Sequence, residues 1–548
     1  MRQQWVALIG PEFEENLSLR YLASALARAG FPSEILPFNQ GSQLPGLVER
    51  IARTEDPPVL VGISMAFQWR APDMLALAVA LREAGYTGHI TFGGHFATFA
   101  SQEVLRDFPE VDSICRQEAE ETLLELVQYV ASGQAFGDVV GLAVRDARGS
   151  PRINPLRGAP ELASLAWPDR RGVPAECFGH RIAPLVSTRG CYANCTFCCI
   201  AAWHEQVLPG KRYRERPLED VADEMASLHH ERGIDIFVFH DDNFFLPSGV
   251  KNAERLNRLA DLLEAREVRR FATVVKARPT DVQERVFPVL VERLHCIRCY
   301  VGIETDADQG LKTLQRWAQP KHNWQAMELV ERLGLYTCFN VLLFDPDTTL
   351  ESLEDNLEFM QAHAHHPFNF GRTELYAGTP LLHRMQQEGR ARGDWLQWDY
   401  SLHDAQVERV FALTSTVFHE RNFAPDALAN ALMSTRFDVE VVRRFYPERL
   451  RPGWLDEGKA LCRALGTGSV SVMREIIARV RDGASPSGDA AFSSELAQRL
   501  RAEEAVLRVR ARGLAAQLTQ VVPQGLPLTD IGDRVATPLQ RARAEVSL

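Results

Sequence analysis

Over roughly its first 135 residues the chain alternates short apolar runs with longer amphipathic ones. Trp5-Val6-Ala7-Leu8-Ile9-Gly10 predicts a strand, Leu17 to Ala29 a helix ending at Gly30, and Ser33 to Pro37 a second strand. Val59-Leu60-Val61-Gly62-Ile63-Ser64 is apolar without interruption, as in a strand buried on both faces of a parallel sheet. Asp73 to Ala84 predicts a helix, His89 to Gly94 a strand stopping at a glycine pair, Val111 to Cys115 a strand, and Glu118 to Ser132 a helix. This rhythm predicts an α/β fold that opens with a doubly wound, flavodoxin-like sheet, which takes ligands at the carboxyl ends of its strands. Those ends are Ser64, Gly93-Gly94 and the turn Arg116-Gln117-Glu118-Ala119-Glu120. The glycine pair either lets backbone approach a flat ligand or simply makes a tight turn.

Residues 141–183, rich in Pro, Arg and Gly, predict a linker holding one short strand pair. A second alternation runs from Leu185 to about residue 385, with strands at Leu185–Ser187, Ile236–His240, Phe271–Lys276, Ile297–Ile303, Cys338–Leu343 and Asn369–Leu375. Six strands alternating with helices predict a partial (β/α)6 barrel with its chemistry at the C-terminal face. Residues 386–548 predict a mainly helical region with a break at Asp482–Gly488 and a tail after Val521. The expected order is therefore a first domain at 1–140, the linker, a barrel at 184–385 and the helical region.

The 548 residues include 72 acidic and 61 basic side chains, a net charge of −11. No concentrated basic face is available to neutralise phosphates, so nucleic acid is not an expected partner. The N-terminus lacks the apolar core of a secretory signal, and no apolar run approaches the length of a membrane span. The expected location is the cytoplasm, where thiols stay reduced, so the ten cysteines are expected to be metal ligands or buried side chains rather than disulfides.

Three of them, Cys191, Cys195 and Cys198, stand at C-x3-C-x2-C directly after the first predicted barrel strand. Three thiolates from one loop suit three irons of a 4Fe–4S cluster, whose fourth iron is then free to react. A zinc site would want a second ligand pair at matching spacing, and the sequence has none. The remaining alternative is three buried small side chains. Cys199 is expected to pack rather than ligate, and Cys296 and Cys299 to be core residues.

The segment Cys191-Tyr192-Ala193-Asn194-Cys195-Thr196-Phe197-Cys198 resembles the signature loop of radical S-adenosylmethionine enzymes, with Phe197 as the aromatic before the third cysteine. Gly62-Ile63-Ser64, Gly93-Gly94-His95-Phe96-Ala97-Thr98 and Glu118-Ala119-Glu120 resemble the cobalamin-binding domain that precedes this core in one large subgroup. The resemblance covers about residues 1–385 and implies cobalamin contacts at Ser64, Arg70, Gly93, Gly94, His95, Thr98 and Glu120. The string D-x-H-x-x-G, whose histidine binds cobalt in many cobalamin proteins, is absent, which suggests a cobalt with no histidine below it. Arg70 or Trp69 is then expected to cover that face.

For S-adenosylmethionine the resemblance implies contacts from Phe197 and from the barrel-strand ends. Asp241 and Asp242 would take the amino group, although either Asp242 or Asn243 could also cap a helix. Arg278 would meet the carboxylate and Glu304 the ribose or methionine. The turn Asp345-Pro346-Asp347-Thr348-Thr349 would approach adenine, and Ala377-Gly378-Thr379-Pro380 is also typical of the subgroup. His363, His365 and His366 do not share one helical face, so a surface helix end is expected there rather than a metal site. Trp395, Trp398 and Tyr400 are expected either to cap a substrate cavity or to pack between domains.

The implied chemistry is reductive cleavage of S-adenosylmethionine to a 5′-deoxyadenosyl radical, hydrogen abstraction from an unactivated carbon, and methyl transfer from methylcobalamin. The implied partners are a small-molecule or natural-product precursor and an electron donor such as flavodoxin or ferredoxin. Cyclisation or rearrangement without methyl transfer is the alternative outcome, and a cluster- or corrinoid-binding sensor the alternative that is not an enzyme.

Overall fold

The computed structural model describes residues 4–206, 208, 210, 212–424 and 426–521; the tail expected after Val521 lies outside the described residues. The chain divides into two compact units, one made of Met1–Pro174, Thr196–Arg216 and Glu374–Asp399, the other of Ala175–Cys195, Pro217–Thr373 and Tyr400–Leu548.

The first unit is built on a seven-stranded sheet in the order β2-β1-β3-β4-β5-β6-β7. Its strands are β1 (Val6–Gly10), β2 (Ser33–Pro37), β3 (Leu60–Ser64), β4 (His89–Gly93), β5 (Ser113–Cys115), β6 (Leu142–Arg145) and β7 (Pro151–Ile153). The first five run parallel in flavodoxin-like order, 2-1-3-4-5. The strand pair expected in the linker is β6 and β7, which extend this sheet antiparallel from β5.

Alternation along β1 sorts the core into two layers. Val6 and Leu8 join Leu19, Leu26 and Leu126 on one face, while Ala7 and Ile9 join Ile51, Leu77 and Phe92 on the other. The helix Leu17–Arg28 starts where the Asn16 side chain accepts from the Leu19 N–H. Leu44–Ala52 forms a helix that the apolar pattern did not reveal, because Pro45 and Gly46 interrupt it; proline in the first turn is compatible with helix.

At the end of β4, Gly94 makes a turn that glycine alone adopts readily. Its φ of 102° and ψ of 176° belong to a region essentially reserved for glycine. A Cβ there would lie 2.9 Å from the backbone N and Cα of Ala66, so the loops after β3 and β4 touch through this position. Gly94→Ala is therefore expected to destabilise the first unit by about 1–3 kcal/mol from backbone conformation alone, read as a lower urea midpoint.

In the second unit six strands run parallel in sequence order: His180–Leu185, Ile234–Phe239, Ala272–Ala277, Cys296–Glu304, Tyr336–Phe344 and Phe368–Arg372. Ala175–Cys177 adds an antiparallel edge beside the first. The six strands form an open sheet, the partial barrel that the alternation predicts. The first strand lies several residues earlier than expected and ends at Leu185, which leaves Val186 and Ser187 as the approach to the cysteine loop. Long helices at Ala405–Phe423, Leu428–Phe445, Pro452–Arg481 and Asp489–Thr519 form the helical region, with the predicted break between the last two. Its beginning differs from expectation, because Ala391–Gly393 and Trp398–Tyr400 make a short two-stranded sheet first. Among the described residues no helix is long and apolar enough to cross a membrane.

The three histidines are not at a surface. His363, His365 and His366 are all buried, at 8%, 7% and 4% exposure. The cause is tertiary: Gly466, on the helix Pro452–Arg481, leaves room for that helix to press on Ala364 and Phe368, where a Cβ would sit 3.1 and 2.9 Å from side-chain carbons. Burial lowers the pKa of His363 from 6.5 to about 4, with His365 acting in the same direction and Glu331 opposing. The fold thus favours neutral imidazole, and the stability this gives is complete above pH 6.5 and lost as pH falls toward 4. That gap corresponds to about 3 kcal/mol. His363→Phe should flatten the fall in unfolding free energy between pH 7 and pH 4 by about that amount, read from urea denaturation at each pH.

Candidate functional site

In the first unit, register places Ser64 beside Gly93 and Gly93 beside Cys115, so the expected cobalamin contacts at these strands share one carboxyl edge. His95 opens the helix His95–Phe99 and its ring lies 4.3 Å from that of Trp203. Thr98 is buried and its hydroxyl accepts from the N–H of Gln117, a residue held at φ 69°, which ties the β4 turn to the β5 turn. Glu120 is buried at the first position of the helix Glu120–Ser132, and Glu118 pairs with Arg214.

Arg70 is buried and committed. Its guanidinium donates to the carbonyls of Phe38 (3.1 Å) and Asn39 (2.5 Å), lies 3.3 Å from the Asp73 carboxylate, and stacks on Phe38 and Trp69. It therefore holds the loop after β2. Beside it the half-buried Trp69 has an indole N–H with no hydrogen-bond partner among the described residues. A buried orphan donor in the loop after β3 fits an additional polar ligand there.

In the second unit, the strand ends converge on the start of the cysteine loop. Asp241 follows the second strand, is 1% exposed, and its Oδ1 accepts from the N–H of Ser187 (3.1 Å), its hydroxyl (2.7 Å) and the Thr188 hydroxyl (2.6 Å). Arg255 donates to the Ser187 hydroxyl at 2.7 Å and to the Phe244 carbonyl at 2.8 Å. Burial raises the pKa of Asp241, against these donors and Arg255. Its Oδ2 is buried with no partner among the described residues, an acceptor that fits an ammonium donor. Asp242 is exposed and accepts from the Gly190 N–H at 2.9 Å. Neither Asp242 nor Asn243 caps a helix; Ser248 caps Gly249–Ala265.

Cys191 is half-buried, and its sulfur accepts from the Ala193 N–H at 3.4 Å; burial raises its pKa, while that N–H and Arg278 oppose the rise. Between Cys191 and Cys195, the Tyr192 hydroxyl donates to Asp281 at 2.5 Å. The Arg278 guanidinium lies 5.4 Å from the Tyr192 ring centre and donates to the Arg316 carbonyl. Burial raises the pKa of Asp281 to about 6. Cys195 is buried and its sulfur accepts from Arg316 at 3.4 Å. Glu304 ends the fourth strand at a register shift with φ of 63°, a left-handed conformation rare for glutamate. Burial raises its pKa, with Arg316 opposing.

Phe197 is half-buried in the turn before Cys198, whose carbonyl accepts from the Ala202 N–H and so starts the helix Cys199–Gln206. Among the described residues no three His, Cys, Asp or Glu side chains converge on one ion. Cys296 and Cys299 are buried in the fourth strand, as expected of core residues.

The turn after the fifth strand has Asp345 buried and Thr349 capping the next helix. In the first unit, Thr379 caps the helix Pro380–Gln387 and the Ala377 N–H donates to Gln68. Trp395 is not a free cavity cap: it stacks on Phe96 and donates to Asp107 at 3.1 Å. Tyr400 is fully buried under the Arg372 guanidinium. Sequence reasoning missed Tyr192, Asp281, Arg255 and Arg316. A tyrosine inside the C-x3-C spacing was a visible signal for the first; the others carried none.

Residues 11–127 match the B12 binding domain and residues 185–360 the Radical SAM superfamily. An uncharacterized methyltransferase of Pyrococcus horikoshii is 26% identical over 316 residues, 57% of this chain and 66% of its own. The 4′-phospho-dehydrooxetanocin synthase of Priestia megaterium is 24% identical over 63% of this chain and 48% of its own. The chain thus spans less than two thirds of the length of these relatives. The solved structure of the cobalamin-dependent S-adenosylmethionine radical enzyme OxsB with aqua-cobalamin bound superposes with a TM-score of 0.66 at 16% identity, covering 100% of this chain and 84% of that one, a likeness of fold. The cofactors that go with the two matched domains are cobalamin, S-adenosylmethionine and a 4Fe–4S cluster. With both domains in this order, the chain belongs to the cobalamin-binding radical S-adenosylmethionine family.

Proposed function

We propose that this protein is a C-methyltransferase that acts on an unactivated carbon of a small-molecule or natural-product precursor, taking electrons from a donor such as flavodoxin or ferredoxin. The observation that carries the proposal is the buried carboxylate of Asp241, with one oxygen holding the approach to the cysteine loop and the other still open. When bound, the cofactors supply homolytic C–H cleavage and a methyl group, which no side-chain acid or base can deliver from a non-acidic carbon.

The protein's own residues place and shield those groups. Cys191, Cys195 and Cys198 would hold three irons, with Phe197 beside the third ligand. Asp241 and Asp242 would accept from the amino group of S-adenosylmethionine, Glu304 from its ribose or methionine, and Arg278 would present positive charge toward its carboxylate. Ser64, Gly93, Gly94, His95, Thr98 and Glu120 would border the cobalamin. Trp69 would meet the corrin from the loop after β3, while Arg70 fixes the loop after β2 beside it. The segment 1–140 would thus serve cobalamin, 184–385 the radical chemistry, and 386–548 the substrate.

The test is anaerobic reconstitution with iron, sulfide and methylcobalamin, followed by S-adenosylmethionine and reductant. Formation of both 5′-deoxyadenosine and S-adenosylhomocysteine supports methylation. 5′-Deoxyadenosine alone, in the presence of converted substrate, would favour cyclisation or rearrangement, a reading for which the synthase relative speaks. Bound cofactors with neither product would leave a sensor.

A further inference from the structure

We infer that Arg316 is a positioning residue for Cys195, and that it sets the reduction potential of the cluster by donating a charged hydrogen bond to that cysteine's sulfur. The inference rests on the assignment of the cluster to Cys191, Cys195 and Cys198.

Arg316 lies on the loop after the helix Asp308–Thr313, and its side chain is buried at 6% exposure. Gln315 and Trp317 on either side have φ of 48° and 50°, left-handed conformations that cost energy in non-glycine residues. Two such residues flanking one arginine turn its side chain inward while Trp317 stays 61% exposed. The guanidinium then meets two acceptors: Nη1 donates to the Cys195 sulfur at 3.4 Å and Nη2 to the Gly302 carbonyl. The Arg316 carbonyl is in turn held by Arg278, whose own guanidinium lies against Tyr192 of the cysteine loop. Gly302 keeps the space open, since a Cβ there would lie 3.1 Å from a Glu304 oxygen and 3.6 Å from Arg316 Nη2.

A guanidinium N–H bonds a thiolate far better than a thiol, because the pair is charge-assisted. Its orientation toward Cys195 therefore suits a sulfur that carries negative charge, as an iron ligand does. Hydrogen bonds and positive charge at ligand sulfurs stabilise the reduced cluster, which holds one more electron, and so raise its potential.

The full chain, reconstituted anaerobically with iron and sulfide, would be compared as wild type, R316M, R316Q and R316K. Iron per chain and the midpoint from a spectroscopic redox titration are the readouts. R316M is expected to shift the reduction equilibrium at least tenfold toward the oxidised form, about 59 mV for one electron, with R316K shifting it less. R316Q, which can still serve the Gly302 carbonyl, repeats the measurement if R316M does not fold, and loss of iron from a folded R316Q would also support the inference. Normal iron with an unchanged midpoint in R316M or R316Q would overturn it, as would loss of fold in both. A wild-type chain that takes up no iron would instead sink the cluster assignment itself.

Discussion

Cys198→Ala protein, reconstituted with iron and sulfide, is expected to lack a normal 4Fe–4S spectrum and to lose 5′-deoxyadenosine formation by more than ~100-fold, beyond what losing an outer partner of a metal ligand costs. Cys199→Ala is expected to keep both. The two cysteines are neighbours, so the choice between them rests on spacing. Cys198 is the last residue before the helix Cys199–Gln206, and its carbonyl receives that helix's first bond from Ala202. Cys199 is the first helical residue, one position beyond the C-x3-C-x2-C spacing. Iron content and the absorbance spectrum of the two variants decide the matter. Iron lost from C199A and retained in C198A would mean the ligand had been assigned to the wrong residue.

Asp241→Ala should cost about 3–5 kcal/mol of stability, the range for removing one partner of a buried charged group. The carboxylate is the common acceptor for the Ser187 N–H and the Ser187 and Thr188 hydroxyls, with Arg255 one bond away through Ser187. Alanine leaves those donors and a buried guanidinium without it. Asp241→Asn keeps one oxygen acceptor and should lose about 1–3 kcal/mol. Chemical denaturation measures both. In a variant that still folds, weaker binding of S-adenosylmethionine than of iron would separate the open Oδ2 from the structural Oδ1.

Much of the fold was legible because its signals are local. β1 and β3 are nearly unbroken apolar runs, the pattern of a parallel strand buried on both faces. The cysteine spacing was legible for the same reason, as all three ligand candidates fall within eight residues of chain. The helix at Leu44–Ala52 escaped notice because its proline and glycine sit where a first turn tolerates them.

The roles of individual side chains were decided elsewhere. The sequence by itself determined two strand–helix alternations, a three-cysteine loop after the first strand of the second, and a polar residue at each following strand end. It could not determine that Arg70 would turn to the carbonyls of Phe38 and Asn39, or that His363 to His366 would be buried beneath a helix that approaches through Gly466. Nor could it join Arg316 to Cys195, 121 residues away, or Tyr192 to Asp281, 89 residues away. The physical reason is that hydrophobic periodicity records which face of an element is buried. It is silent on which buried polar groups meet, because each can be satisfied by any partner that strand register and helix packing bring within hydrogen-bond reach.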